Sequence, residues 1–184
     1  MKLKQSLLLL VSISMVLLSS NSFAGRQGIN LIYGIGLGAV SPADSDVAAA
    51  GSVFFGFIED GWSLEGTAIK STEAGTDIPL FDYSIKATDI GIAYRTVESN
   101  NSYFKFKISE TDIDVTSINT ATNADITTET EGRTYTLGMG WRMSRENRLE
   151  VDYSYHSSDD FSDPIHMINV SYLWGGAPYL GKDF

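Results

Sequence analysis

The sequence predicts an all-β chain, an eight-stranded antiparallel up-and-down barrel, on three observations. Bulky apolar residues alternate with small or polar ones, at period two, in eight separate stretches. The connections between these stretches alternate short and long. No proline interrupts a stretch, and no helical pattern of useful length follows the first two dozen residues.

The hairpin from Arg133 to Ser158 shows the pattern most clearly. Tyr135, Leu137, Met139 and Trp141 alternate with Thr134, Thr136, Gly138 and Gly140. After the polar break Ser144-Arg145-Glu146-Asn147, Leu149, Val151, Tyr153 and Tyr155 alternate with Arg148, Glu150, Asp152 and Ser154. Two alternating runs joined by a short turn form an antiparallel hairpin. These are the sixth and seventh strands.

Taken in order, the first strand covers about Ile29 to Val40, with Leu31, Tyr33, Ile35 and Leu37 against Gly34, Gly36 and Gly38. The second covers Ala49 to Ile58, and Glu59-Asp60-Gly61 turns the chain into the third, Trp62 to Ser71. The fourth, Phe81 to Val97, changes phase: Phe81, Tyr83 and Ile85 share one parity, Ile90, Ile92 and Tyr94 the other. A bulge near Ala87 to Asp89 is the expected cause. The fifth, Ser102 to Asp112, sets Phe104, Phe106 and Ile108 against Tyr103, Lys105 and Lys107; the eighth is Ile165 to Trp174. Residues 59–61, 98–101 and 144–147 are short connections, while 41–47, 72–80, 113–130 and 157–164 are long and rich in Asp, Ser and Thr.

The N-terminus reads as an export leader. Lys2 and Lys4 precede the apolar run Leu7 to Leu18, and Ser22-Phe23-Ala24 supplies a cleavage site. That run is too short to span a bilayer as a helix, which takes about 20 residues. Residues 1–24 are thus expected to be a signal peptide, 25–174 the barrel and 175–184 a short periplasmic tail. Cleavage would leave 160 of the 184 residues and, since two lysines and no acid depart, move the formal charge from −10 to −12. An acidic chain of this kind argues against nucleic acid as a partner. The absence of Cys rules out disulfides, thiol chemistry, thiolate metal sites and a lipid-anchored N-terminal cysteine.

Alternation alone does not say which face meets solvent. A soluble barrel would crowd charge onto its polar face, but here that face is mostly Gly, Ser and Thr, which suits the narrow interior of eight strands. Aromatic residues fall in two bands. Trp62, Tyr94, Trp141 and Trp174 lie beside the short turns or the end of the last strand, and Tyr83, Tyr135 and Tyr155 lie toward the long loops. Two such girdles around an aliphatic middle mark two membrane interfaces. The charges Glu65, Asp89, Arg95, Lys105, Lys107, Arg142, Arg148, Glu150 and Asp152 share the small-residue parity and are expected to point inward and pair. That network would be either a salt-bridged plug or the wall of a narrow ion path.

With these features the chain resembles the small eight-stranded outer-membrane barrels of the OmpX, OmpA transmembrane-domain and neisserial surface protein type, over Ile29 to Trp174. The last strand, with His166, Ile168, Val170, Tyr172 and Trp174 alternating to an aromatic end, is similar to the signal that barrel-assembly machinery reads. The chain departs from the group in carrying Gly175 to Phe184 beyond that aromatic. The resemblance implies residence in a bacterial outer membrane as a monomer among lipid and lipopolysaccharide. It also implies a structural or adhesive role through surface loops, and an open strand edge where the fifth and sixth strands rise above the membrane to meet an extracellular protein.

Little in the sequence points to catalysis. His156-Ser157-Ser158 resembles the His-x-Ser of lipid A 3-O-deacylase barrels, but the acid expected some fourteen residues on is replaced by Val170, and His156 has inward parity. His166 has outward parity and reads as interfacial. No cofactor or metal set is evident. Asp44, Asp46, Glu73, Asp77, Asp112, Asp114, Asp125, Glu129, Asp159, Asp160 and Asp163 make the long connections acidic, either as solvated loops or as contacts for divalent cations bridging to lipopolysaccharide or for basic surfaces.

Overall fold

The computed structural model describes residues 30–42, 45–76, 80–96, 100–122, 124–144, 146–158 and 164–175. The expected leader, Ile29, the tail beyond Gly175 and the loop acids Asp44, Asp77, Asp159, Asp160 and Asp163 lie outside these residues.

Eight long strands make the barrel: β1 Asn30–Pro42, β2 Ala48–Glu59, β3 Trp62–Ser71, β4 Phe81–Arg95, β5 Ser102–Asn119, β6 Ala124–Arg142, β7 Asn147–Ser158 and β8 Ile165–Gly175. Each pairs antiparallel with its successor, and β8 pairs with β1 from Ile32↔Gly175 to Pro42↔Ile165. The cylinder is therefore closed. Closure satisfies the backbone N–H and C=O groups inside the wall, which hydrocarbon cannot do, and removes the sheet edge there.

Local chemistry explains the tight turn between β2 and β3. Glu59 pairs with Trp62 across a two-residue loop, and Asp60 and Gly61 adopt φ of 49° and 82°. An Asp-Gly pair with both φ positive matches the right-handed twist of the flanking strands. Asn100 and Asn101, at φ 52° and 64°, do the same work ahead of β5, where Asn tolerates the left-handed region better than most residues.

Two expectations are corrected. There is no bulge at Ala87 to Asp89: β4 keeps unbroken register with β5 from Phe81↔Asn119 to Arg95↔Lys105, and with β3 from Trp62↔Tyr94 to Lys70↔Lys86. The strand never changes parity; the interior changes chemistry. Along β4 the enclosed face is polar near the short turn and apolar near the long loop, so Tyr83, Ile85 and Ala87 point inward with Asp89 and Arg95. Residues 113–130 are likewise not a loop. β5 runs on to Asn119 and β6 starts at Ala124, paired throughout. Thr, Ile and Val dominate this stretch, and β-branched residues favour extended pairing over irregular chain.

Candidate functional site

The enclosed face is layered. At the short-turn end, Ile32, Phe54, Ile58 and Leu173 form a buried apolar floor. Beside them, and rising into the wall, lies an ionic layer from four strands. Arg95 on β4 donates through Nε to Glu150 Oε1 at 2.8 Å and through Nη2 to Oε2 at 3.2 Å, and it also meets Glu65 and the Ser63 hydroxyl. Lys105 on β5 reaches Glu150 at 3.0 Å, Asp152 at 2.8 Å and Glu65 at 3.5 Å. Lys107 pairs with Asp89 and donates to Thr67. The Tyr103 hydroxyl donates to Glu150 Oε1 at 2.6 Å, and Arg148 lies over the Tyr103 ring. Arg142 is half-buried across from Arg148 at the mouth.

Four acids (Glu65, Asp89, Glu150, Asp152) thus lie among five inward cations, with Arg95, Lys105, Lys107 and Arg148 in the layer and Arg142 at its mouth. An ion-selective path needs an excess of one sign or a wet gap. Here charge balances within one layer, and Glu65 and Glu150 are 0% and 1% exposed. Packing in this layer depends on glycine: a Cβ on Gly140 would overlap the Tyr103 ring that feeds Glu150, and one on Gly138 would overlap the Asp152 carboxylate.

A neutral polar layer follows. Thr111 Oγ1 donates to Thr134 Oγ1 at 2.7 Å, and Thr134 Oγ1 lies 3.0 Å from His156 Nδ1. Thr136 and Ser154 share a hydrogen bond, as do Thr130 and Ser158. His156 is 1% exposed and sealed from the outer leaflet, so it is not placed to meet a lipid substrate.

The long-loop end is closed by an apolar lid that includes Val40, Ala48, Tyr83, Ile85, Ile113, Ile165 and Met167. Tyr83 is a correction to the girdle set: it is 2% exposed, and its hydroxyl donates to the carbonyls of Val40 and Asp46. In this way β4 is tied to the β1–β2 connection. That connection also meets the one after β3, through Asp46 N to Gly75 O at 3.1 Å and the Ser45↔Thr76 bridge.

The outer face is apolar around the wall, with Ile35, Leu37, Val53, Ile92, Phe106, Ile108, Leu137 and Ile168 all exposed. Trp62 packs on Tyr94 with ring centroids 4.9 Å apart, and Trp174 on Tyr33 and Tyr172, toward the short turns. Trp141 is outward near the same end, while Tyr135 and Tyr155 are outward nearer the long loops, where His166 joins Tyr153 and Tyr155. Strand parity had already put Tyr33, Tyr153 and Tyr172 on the outward face and Tyr103 on the inward one, but the two girdles and the ionic network were drawn without them.

Beyond the wall, β5 and β6 continue as a paired extension. Its outward face carries an acidic ladder in which Asp112 stands opposite Glu131 and Asp114 opposite Glu129. Partial burial and repulsion from Glu131, Asp114, Glu129 and Glu110 push the Asp112 carboxyl above its ordinary value. β6 pairs with β7 only from Gly132 onward, so among the described residues the 124–129 segment has β5 on one side and no paired strand on the other.

Closed wall, sealed interior and greasy exterior define a small β-barrel of outer-membrane type. No protein-family model matches the sequence, and no curated protein does. Solved structures do match. The attachment invasion locus protein Ail of Yersinia pestis superposes with a TM-score of 0.58 at 10% identity, over 82% of this chain and 100% of that one. Neisserial surface protein A gives 0.60 at 8% identity, over 81% and 96%. OprG of Pseudomonas aeruginosa gives 0.58 at 9% identity, over 83% and 98%. The chain therefore has the fold of the small eight-stranded outer-membrane barrels.

Proposed function

We propose that this chain is a plugged barrel of the bacterial outer membrane that works by surface contact through its β5–β6 extension, in adhesion or in envelope integrity. One observation carries the reading: among the described residues no strand pairs with the outer edge of β6 over 124–129, which leaves room for an added strand. The neighbouring acidic ladder favours a basic extended segment of an extracellular protein. A second solved structure of Ail holds the heparin analogue sucrose octasulfate, a polyanion that the ladder on this chain would repel. Lipid and lipopolysaccharide surround the wall, barrel-assembly machinery inserts it, and it acts as a monomer. The balanced ionic layer between apolar floor and lid supports a plug over a narrow pore, and the burial of His156 counts against a lipid A hydrolase.

Asp114 and Glu129 are register partners, so residues 115–128 can be replaced by an Asn-Gly turn without disturbing the wall. Cells bearing the shortened barrel should lose surface binding while the protein keeps its heat-modifiable gel mobility. A second variant, Ile126→Lys with Thr128→Lys, charges the edge and should give the same loss. Full adhesion by both variants would refute the role.

A further inference from the structure

The cations of the wall are not all inside. Lys70 on β3 and Lys86 on β4 are exposed on the lipid-facing side and stand directly opposite each other. Like charges directly opposite each other repel, and an anion held between them relieves that repulsion. Asp114 stands opposite Lys86 on β5, as Glu110 stands opposite Arg133, but Lys70 has Gly51 on its other side, and among the described residues neither Lys70 nor Lys86 forms an ion pair.

Their height is set by the strand. Lys70 lies eight residues along β3 from the girdle residue Trp62. At about 3.3 Å per residue and a tilt of about 40°, that is a rise of roughly 20 Å, close to the ~25 Å apolar band of such barrels. The ammonium groups therefore stand where outer-leaflet headgroups begin. Below them runs a furrow of about 1060 Å³ walled by Leu37, Val53 and Val170. Its floor is small: Gly51 pairs with Lys70, Ala68 precedes it, and a Cβ added at Gly51 would meet nothing within 4 Å.

We infer that Lys70 and Lys86 clamp a phosphate of a phosphorylated outer-leaflet glycolipid of the lipid A type, with an acyl chain lying in the furrow. The two ammoniums supply the charge, and the furrow distinguishes a lipid from a free anion. This inference rests on residence in the outer membrane, but not on the β6 edge or on any surface partner.

The test uses the full chain purified in mild detergent, with bound lipid read by native mass spectrometry. Diphosphorylated lipid A should be retained by the wild type and held at least tenfold more weakly by Lys70→Gln/Lys86→Gln, with Lys70→Arg/Lys86→Arg restoring it. Gly51→Leu, which fills the furrow and keeps both charges, should also weaken retention. Gel mobility confirms that each variant is folded, which separates loss of the site from loss of the barrel. Equal retention by wild type and the double Gln variant would overturn the clamp, as would equal affinity for dephosphorylated lipid A. Displacement by millimolar inorganic phosphate would show a free-anion site and overturn the glycolipid assignment.

Discussion

Glu150 is the residue on which the ionic layer converges, and Glu150→Gln tests that layer most sharply. Its two oxygens receive Arg95 Nε and Nη2, Lys105 Nζ and the Tyr103 hydroxyl within 2.6–3.2 Å, and the residue is 1% exposed. Gln keeps the shape but removes the charge and turns one acceptor into a donor. Arg95 would retain Glu65, and Lys105 would retain Asp152 and Glu65, yet the layer would carry one uncompensated buried cation. Removing one partner from a buried pair costs about 3–5 kcal/mol. Urea unfolding in lipid vesicles, followed by tryptophan fluorescence and gel mobility, should show a loss of that size. Replacing Arg95 and Glu150 together with Leu should cost less than the sum of the single changes, because no lone charge is left. A Glu150→Gln barrel within about 1 kcal/mol of wild type would mean that water or ions reach the layer, and the sealed interior would be wrong.

Three further outcomes follow from the geometry. Leu137→Lys, on the outer face between Tyr135 and Trp141, should destabilise the inserted barrel by about 2–4 kcal/mol in vesicle unfolding, whereas a polar change at inward Thr136 should not carry that lipid penalty. Gly140→Leu should cost about 1–3 kcal/mol by displacing the Tyr103 ring, and the loss should shrink when Tyr103 is also changed to Ala. For the extension, the raised Asp112 carboxyl means that the folded hairpin holds its proton more tightly than the unfolded chain does. Stability therefore falls as pH rises from the unfolded value through the folded one. Asp112→Asn should accordingly protect the hairpin from protease at pH 7 by about half a kcal/mol, an advantage that vanishes in acid; an unchanged advantage there would exclude the repulsion.

What the sequence revealed and what it hid have separate physical causes. Alternation survives in the primary structure because a strand buries one face in lipid and encloses the other, so the hairpin from Arg133 to Ser158 was readable residue by residue. β4 misled because period-two reasoning assumes one chemistry per face. The enclosed face of this barrel passes from ionic at Arg95 to apolar at Ile85, and the change mimics a register slip. Tyr83 was misplaced for the same reason. The resemblance implied that the fifth and sixth strands extend above the membrane, but composition hid how far: Asp, Thr and Glu in residues 112–131 look like a solvated loop, and only cross-strand pairing shows a ladder. The lysine pair was invisible because Lys70 and Lys86 become neighbours through the β3–β4 register, which no local pattern encodes.

Which face of the wall meets lipid decides everything else about this barrel, and site-directed spin labelling in bilayers measures it directly. Labels at Leu137 and Ile35 should relax with dissolved oxygen and be shielded from a water-soluble nickel reagent, and a label at Glu110 should respond to the nickel reagent. If Leu137 and Ile35 proved open to the aqueous reagent, the wall would not be standing in a membrane.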